Sequence, residues 1–255
     1  MILIDTHCHL YLRECLQDID AILSRAESAG VKKFCLPAID SSEMEHLLSL
    51  EKSYPDRCLA MTGLHPCSVK DGFRTELALV EGWLTRRKFI AIGEIGLDLY
   101  WDKTYFKEQQ DAFRTQIELS LVYDLPIVIH TRSAMAETIA LVNEYVPRGV
   151  RGIYHCFSGN IEEAREITGA GFYLGIGGVL TYKNSGLAEV IAGVELEHLV
   201  LETDAPYLSP IPFRGKRNES SYLTYIAQKL AIVKGVSLEE VAAVTTANAQ
   251  KIFSL

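Results

Sequence analysis

Apolar runs of a few residues alternate along this chain with longer stretches whose apolar positions recur at helical spacing. The first run, Ile2-Leu3-Ile4, reads as a buried strand. In residues 17–29, Ile19, Ile22, Leu23 and Ala26 share one helical face and Gly30 stands where a C-cap belongs. The pattern then predicts strand 31–39 and a helix to about residue 52, opened by a Ser42/Glu45 capping box. Strand 58–66, helix 75–87, strand 89–98, helix 104–123, strand 126–132, helix 133–145 and strand 149–159 follow. An Asn160/Glu163 capping pair opens the next helix, ahead of strand 172–178, a short helix over 184–192 and strand 199–210. An irregular basic loop, 212–220, leads to two closing helices, about 221–233 and 237–253, the second opened by Ser237 and Glu240.

Strands alternating with helices at a spacing of about 30 residues predict parallel pairing. Eight strands in a chain of this length fit an α/β fold, a closed (β/α)8 TIM barrel with an extra helix at its C-terminus, spanning residues 1–255 as a single domain. A doubly wound open sheet is the alternative.

Composition narrows the classes. With 255 residues, 48% of them apolar, the chain can bury a large core. A net charge of −8 excludes a global basic field, though a local basic patch would suffice for nucleic acid. Cysteines 8, 15, 35, 58, 67 and 156 form no C-x-x-C motif and read as reduced thiols of a cytoplasmic protein. The first residues lack the charged region of a signal peptide, and no apolar run approaches the ~18 residues of a membrane span.

The chemistry gathers at strand ends. His7 and His9 follow the first strand and, by alternation, face the same way. His65 ends the third strand, Glu94 lies on the fourth, His130 on the fifth, His155 on the sixth and Asp204 on the eighth. One histidine at a strand end is more often a hydrogen-bonded structural residue than a ligand, but in a closed barrel all these ends meet at one mouth. An open sheet would not bring the first and eighth strands to the fifth. Four histidines and two carboxylates exceed what one tetrahedral metal needs and suit two divalent metal ions, with Glu94 between them as a bridge. Zinc, manganese or nickel fits mixed imidazole and carboxylate donors; magnesium fits less well and is expected to serve only in some assays.

The motifs DTHCHL, GLHP, GEIGLD, IHTR, HCFSG, ETDAPYLSP with RGKRNES, and the terminal TTANAQKIF occur in this order over essentially the whole chain. In them the chain resembles the TatD-type metal-dependent deoxyribonucleases, a branch of the amidohydrolase-like TIM barrels. The resemblance implies that His7, His9, Glu94, His130, His155 and Asp204 ligate two metals. It also implies hydrolysis of phosphodiester bonds in DNA, often exonucleolytic, on single strands or ends. None of the six positions departs from the family pattern.

On this reading His7, His9 and Asp204 hold one metal, His130 and His155 the other, and Glu94 bridges. A metal-held hydroxide is the expected nucleophile, with Asp204 as general base. His65 contacts phosphate or packs under Pro66; Asp5 orients a ligand histidine or simply ends its strand, and Asp98 is equally open. Arg132 and Arg214 are the candidate phosphate-binding cations, with Lys216 and Arg217 in the same basic loop, against the plainer reading of a solvated loop. Tyr207 and Phe157 could stack on bases, but wall packing is the stronger reading of both. Gly175, Gly177 and Gly178 either admit a substrate backbone or serve packing. Cys8 and Cys156 alternate away from the site, Trp83 and Trp101 read as packing and loop anchors, and His46 and His198 as unremarkable. The first rival function is cleavage of a C–N or ester bond in a small molecule. Against it, Glu94 stands where such binuclear enzymes often carry a carboxylated lysine. A non-catalytic metal-holding module is the second rival, disfavoured by the intact ligand set.

Overall fold

Short parallel strands alternate with helices through residues 1–255 of a computed structural model. The strands are β1 (Leu3–Asp5), β2 (Val31–Leu36), β3 (Cys58–Ala60), β4 (Ile92–Asp98), β5 (Ile127–Arg132), β6 (Gly152–Tyr154), β7 (Tyr173–Ile176) and β8 (Leu199–Leu201). The helices are α1 (Arg13–Leu16), α2 (Ile19–Ser28), α3 (Met44–Ser53), α4 (Phe73–Arg86), α5 (Phe106–Val122), α6 (Met135–Asn143), α7 (Ile161–Gly169), α8 (Leu187–Ala192), α9 (Leu223–Lys234) and α10 (Leu238–Phe253). No helix is long and apolar enough to cross a membrane.

Regular pairing runs β1-β2-β3 and β4-β5-β6-β7-β8, all parallel. Individual hydrogen bonds cross both seams. Between β3 and β4 the Thr62 N–H donates to Ala91 O (3.3 Å) and the Gly93 N–H to Thr62 O (2.9 Å). Between β8 and β1 the Thr6 N–H donates to Leu201 O (3.0 Å) and the Asp204 N–H to His7 O (2.9 Å). Asp5 secures the second seam from below, accepting from the Thr203 amide (2.9 Å) and hydroxyl (2.6 Å) rather than orienting a histidine. The result is a ring of eight strands in the TIM-barrel manner, with the ends that carry the candidate ligands at one mouth.

Alternation divides each strand between two cores. Leu3, Phe34, Ile127, Ile129, Tyr154, Leu174 and Leu201 pack outward under the helices. Ile4, Cys35, Val128, Ile153, Tyr173 and Val200 form a separate inner cluster, closed from below by Ala249, Ile252 and Phe253 of α10. The next inward positions are His130 on β5, His155 after β6, Gly175 on β7 and Glu202 after β8. A two-residue period thus places a polar layer directly above an apolar one.

The strands are shorter than the apolar pattern suggests, and His65, His155 and Asp204 lie beyond β3, β6 and β8 rather than within them. The Ser42 cap does not form: the Ser42 amide (3.0 Å) and hydroxyl (2.5 Å) both donate to Asp40, and α3 begins at Met44. The Asn160/Glu163 capping box does form, and Ser237 accepts from the Glu240 amide. All six cysteines are free.

Candidate metal centre

Glu94 is the hub of the mouth. Its Oε2 lies 3.1 Å from His7 Nε2 and 3.4 Å from His9 Nε2. Its Oε1 lies 2.8 Å from His130 Nδ1, 3.0 Å from His155 Nε2 and 3.4 Å from His65 Nε2. Asp204 Oδ1 stands 3.7 and 3.6 Å from the same nitrogens of His7 and His9. Three positions in the surrounding backbone need glycine. Gly96 has φ +145°, and a Cβ there would meet His130 O at 2.0 Å. At Gly175 a Cβ would meet Glu202 Oε2 at 2.2 Å. Just after β7, Gly178 similarly abuts Leu208 O, so Gly175 and Gly178 serve packing rather than the approach of a substrate backbone.

The partners of the outer ring nitrogens decide what each histidine presents inward. The Tyr11 hydroxyl donates to Pro37 O (2.7 Å), so at 2.9 Å it accepts from His9 Nδ1–H. That leaves the His9 Nε2 lone pair facing Glu94 and Asp204. Asp98 takes the Nε2–H of His130 (2.8 Å), turning the Nδ1 lone pair toward Glu94. Asp98 also accepts from the Tyr100 (2.9 Å) and Trp101 (3.1 Å) amides. Burial raises its pKa, but these hydrogen bonds outweigh burial and hold its carboxyl well below the usual range. Behind His155, Glu202 Oε1 sits 3.3 Å from Nδ1 and accepts from the Cys156 amide (2.5 Å). His65 is the opposite case. Its Nδ1 accepts from the Cys67 amide (3.0 Å), so the neutral ring presents Nε2–H inward, as a hydrogen-bond donor rather than a ligand.

Imidazole lone pairs and carboxylate oxygens therefore face each other at hydrogen-bond distance with too few protons to satisfy them. His7 and His9 even place Nε2 atoms 3.2 Å apart, and His7 Nδ1 and Glu202 Oε2 are buried without a partner. Positive charge between these groups resolves the conflict, as divalent cations or as protons. Three groups of donors are compact enough to hold an ion: His7-His9-Glu94, His7-His155-Asp204 and His65-Glu94-His130. The inward N–H of His65 weighs against the third in that form. The centre thus joins His7, His9, Glu94, His130, His155 and Asp204, with His155 stacked on His7 (centroids 3.7 Å apart). Burial lowers the pKa of His7. In His155 the Glu94 and Glu202 charges outweigh burial and raise it. Burial pushes Asp204 up to about 6 despite His155 and His9, and its φ of +56° marks a strained backbone at the mouth.

A cleft of about 840 Å³ opens over the centre, with His65, Trp101, Arg132, Cys156 and Tyr207 in its walls. Arg214 is not among them; its guanidinium lies over the Tyr182 ring (4.5 Å). Arg217 is bound to Asp18 (2.8 Å) and cannot be a free phosphate ligand at the same time. Cys156 faces the cleft, against strict alternation, because its φ of +48° turns the chain there. Trp83 packs against the core, whereas the Trp101 indole is 69% exposed on its loop; Phe157 is buried. Glu202 and Tyr11 were not singled out from the sequence. The shared parity of Val200, Glu202 and Asp204 is a signal for the first; nothing local marks the second.

The profile of TatD-related DNases matches residues 4–254. The chain is 37% identical over 254 residues to the uncharacterized metal-dependent hydrolase YabD of Bacillus subtilis, covering 99% of each. It is 30% identical over 257 residues to a protein of Erwinia tasmaniensis named 3'-5' ssDNA/RNA exonuclease TatD, covering 98% of this chain and 99% of that one. The crystal structure of the TatD homologue YjjV of Escherichia coli K12 superposes with a TM-score of 0.94 at 32% identity, over 99% of this chain and 98% of that one. With its His, Glu and Asp clusters able to bind metal at the mouth of a parallel α/β ring, this chain belongs to the TatD family of metal-dependent hydrolases.

Proposed function

We propose that this protein hydrolyses phosphodiester bonds in DNA, acting on single strands or frayed ends as an exonuclease. The observation that carries the reading is Glu94, set between two groups of inward imidazole nitrogens in a cleft that also holds Arg132. The name of the Erwinia relative supports it. His7, His9 and Asp204 would hold one divalent metal and His130 and His155 the other, with Glu94 reaching both. Such ions supply Lewis acidity toward a phosphoryl oxygen and toward water. The chain's own groups do the rest. Asp204, raised to about 6 by burial, accepts a proton near neutral pH. His65 Nε2–H donates to a non-bridging phosphate oxygen. Arg132, with no carboxylate partner, binds a phosphate, and Arg214 meets the backbone farther along.

The test uses metal-stripped protein and an end-labelled single-stranded oligonucleotide, with zinc, manganese, magnesium or nothing added back. Shortening that metal restores and that both Glu94→Ala and Asp204→Asn lose is the expected result. Stoichiometric metal binding with intact DNA under every condition would overturn the DNA reading.

A further inference from the structure

Trp101 stands out from the rest of the cleft. An indole is costly to leave in water, yet it is 69% exposed, and its neighbour Tyr100 is 57% exposed. Neither is loose. Both amides donate to Asp98, the carboxylate that also fixes His130. The Arg132 guanidinium lies 4.0 Å from the Tyr100 centroid and 5.2 Å from that of Trp101, with no carboxylate partner. The two rings meet edge to face at 5.0 Å. The flat apolar surface therefore stands on an anchored backbone at the edge of the candidate metal centre, with a positive charge beside it.

Tyr207 faces it from the loop after β8. In a ring of eight strands β4 and β8 are four places apart, so the loops that follow them confront each other across the mouth. Tyr207 is 49% exposed and lies with its ring 6.1 Å from His9. A phosphodiester set over Glu94 would direct the groups on its two oxygens toward these two walls.

We infer that Trp101, backed by Tyr100 and Arg132, stacks on an unpaired nucleobase beside the scissile phosphate, and that Tyr207 receives the base on the other side. The assignment rests on the nuclease reading above and names the residues that would select unpaired strands. Only a base free of its helix offers both faces to an aromatic wall. Arg132 then has two roles, toward phosphate and toward the ring system, which its planar guanidinium can fill at once.

The test crosses two changes on the metal-loaded protein. The substrates are an oligothymidylate and a fully abasic oligonucleotide of the same length. The proteins are wild type and Trp101→Ala, with Trp83→Phe as a control for loss of an indole elsewhere. On oligothymidylate, Trp101→Ala is expected to raise KM about five-fold or more, the low end for one stacked base, with kcat little changed. On the abasic strand the same substitution should move KM by less than about two-fold, because the partner of the ring is already gone. Equal penalties on both substrates overturn the stacking assignment and leave the nuclease reading standing. If wild type cleaves neither strand, the nuclease reading falls. The fluorescence of Trp101 in a Trp83→Phe background, where it is the sole tryptophan, then decides independently. Quenching by oligothymidylate and not by the abasic strand supports the stacking site, and no quenching overturns it.

Discussion

At the lower end of the strands, Ile4, Val128, Ile153 and Val200 meet Ile252 and Phe253 in an apolar cluster that also takes in Cys35 and Tyr173. Two positions farther along β5, β6 and β8, the same inward face carries His130, His155 and Glu202. The lower layer is complete as it stands, since apolar side chains need only one another. The upper layer is not, because its lone pairs confront lone pairs and require added positive charge. Stability and chemistry thus occupy successive turns of one pleat, and they should be separable by experiment.

The sharpest separation should come from Glu94→Gln. Activity should fall about a thousand-fold or more, equivalent to ~4 kcal/mol of transition-state stabilisation. The metal-free Tm should hardly move. A large loss of metal-free stability would break the division. The converse is Phe253→Ala, expected to cost about 3 kcal/mol by chemical denaturation through the cavity it leaves. Its kcat under folding conditions should stay at the wild-type value.

Metal removal comes next. At a hundred times Kd, a bound ion adds about 2.7 kcal/mol, so saturating metal should raise Tm by roughly 5–10 °C and a chelator should reverse it. Glu94→Gln should abolish that rise and Phe253→Ala should keep it. Asp98→Asn should weaken metal binding about 10–100-fold in direct titrations, because His130 loses the acceptor that turns its lone pair inward.

The smallest effect lies at the anchor of the β8 loop, where Arg25 donates to Glu219 from both Nε (2.9 Å) and Nη2 (2.6 Å). Burial raises the Glu219 pKa, but hydrogen bonds from Arg25 and Ser221 outweigh it and leave the carboxyl below its ordinary 4.5. A depressed carboxyl pKa stabilises the fold above the unfolded value, and that contribution is lost as pH falls through the folded one. Arg25→Met should therefore cost about 1 kcal/mol at pH 7, Arg25 being half exposed, or roughly 2–4 °C in Tm. Thermal melts of the two proteins should converge as pH drops below 4.5. A gap that persists into acid would assign the effect to packing.

Legibility followed locality. His130, His155 and Asp204 could be placed from sequence because each closely follows or ends an apolar run, about one or two strand–helix units apart. Glu94 was placed the same way, on the fourth strand, although the β4–β5 register shift between Gly93 and Ile95 is invisible in the pattern. The Ser42 cap failed because Asp40, two residues upstream, competed for the same groups. The inward turn at Cys156 depends on a positive φ that cysteine does not advertise. Arg217 looked free because its partner, Asp18, lies at the other end of the chain. The exposure of Trp101 is a tertiary fact with no signature in the pattern.

The placement of Phe253 also bears on how the protein is made. The floor beneath Ile4 is laid by residues near position 250, and Thr246 Oγ1 donates to Ile2 O (2.8 Å), so β1 docks against a segment made more than two hundred residues after it. At about 5–20 residues per second, β1 waits roughly ten to fifty seconds for that partner. Barrel closure therefore waits until β8 and α10 have been made, and until then the nascent chain exposes the edges of an open sheet.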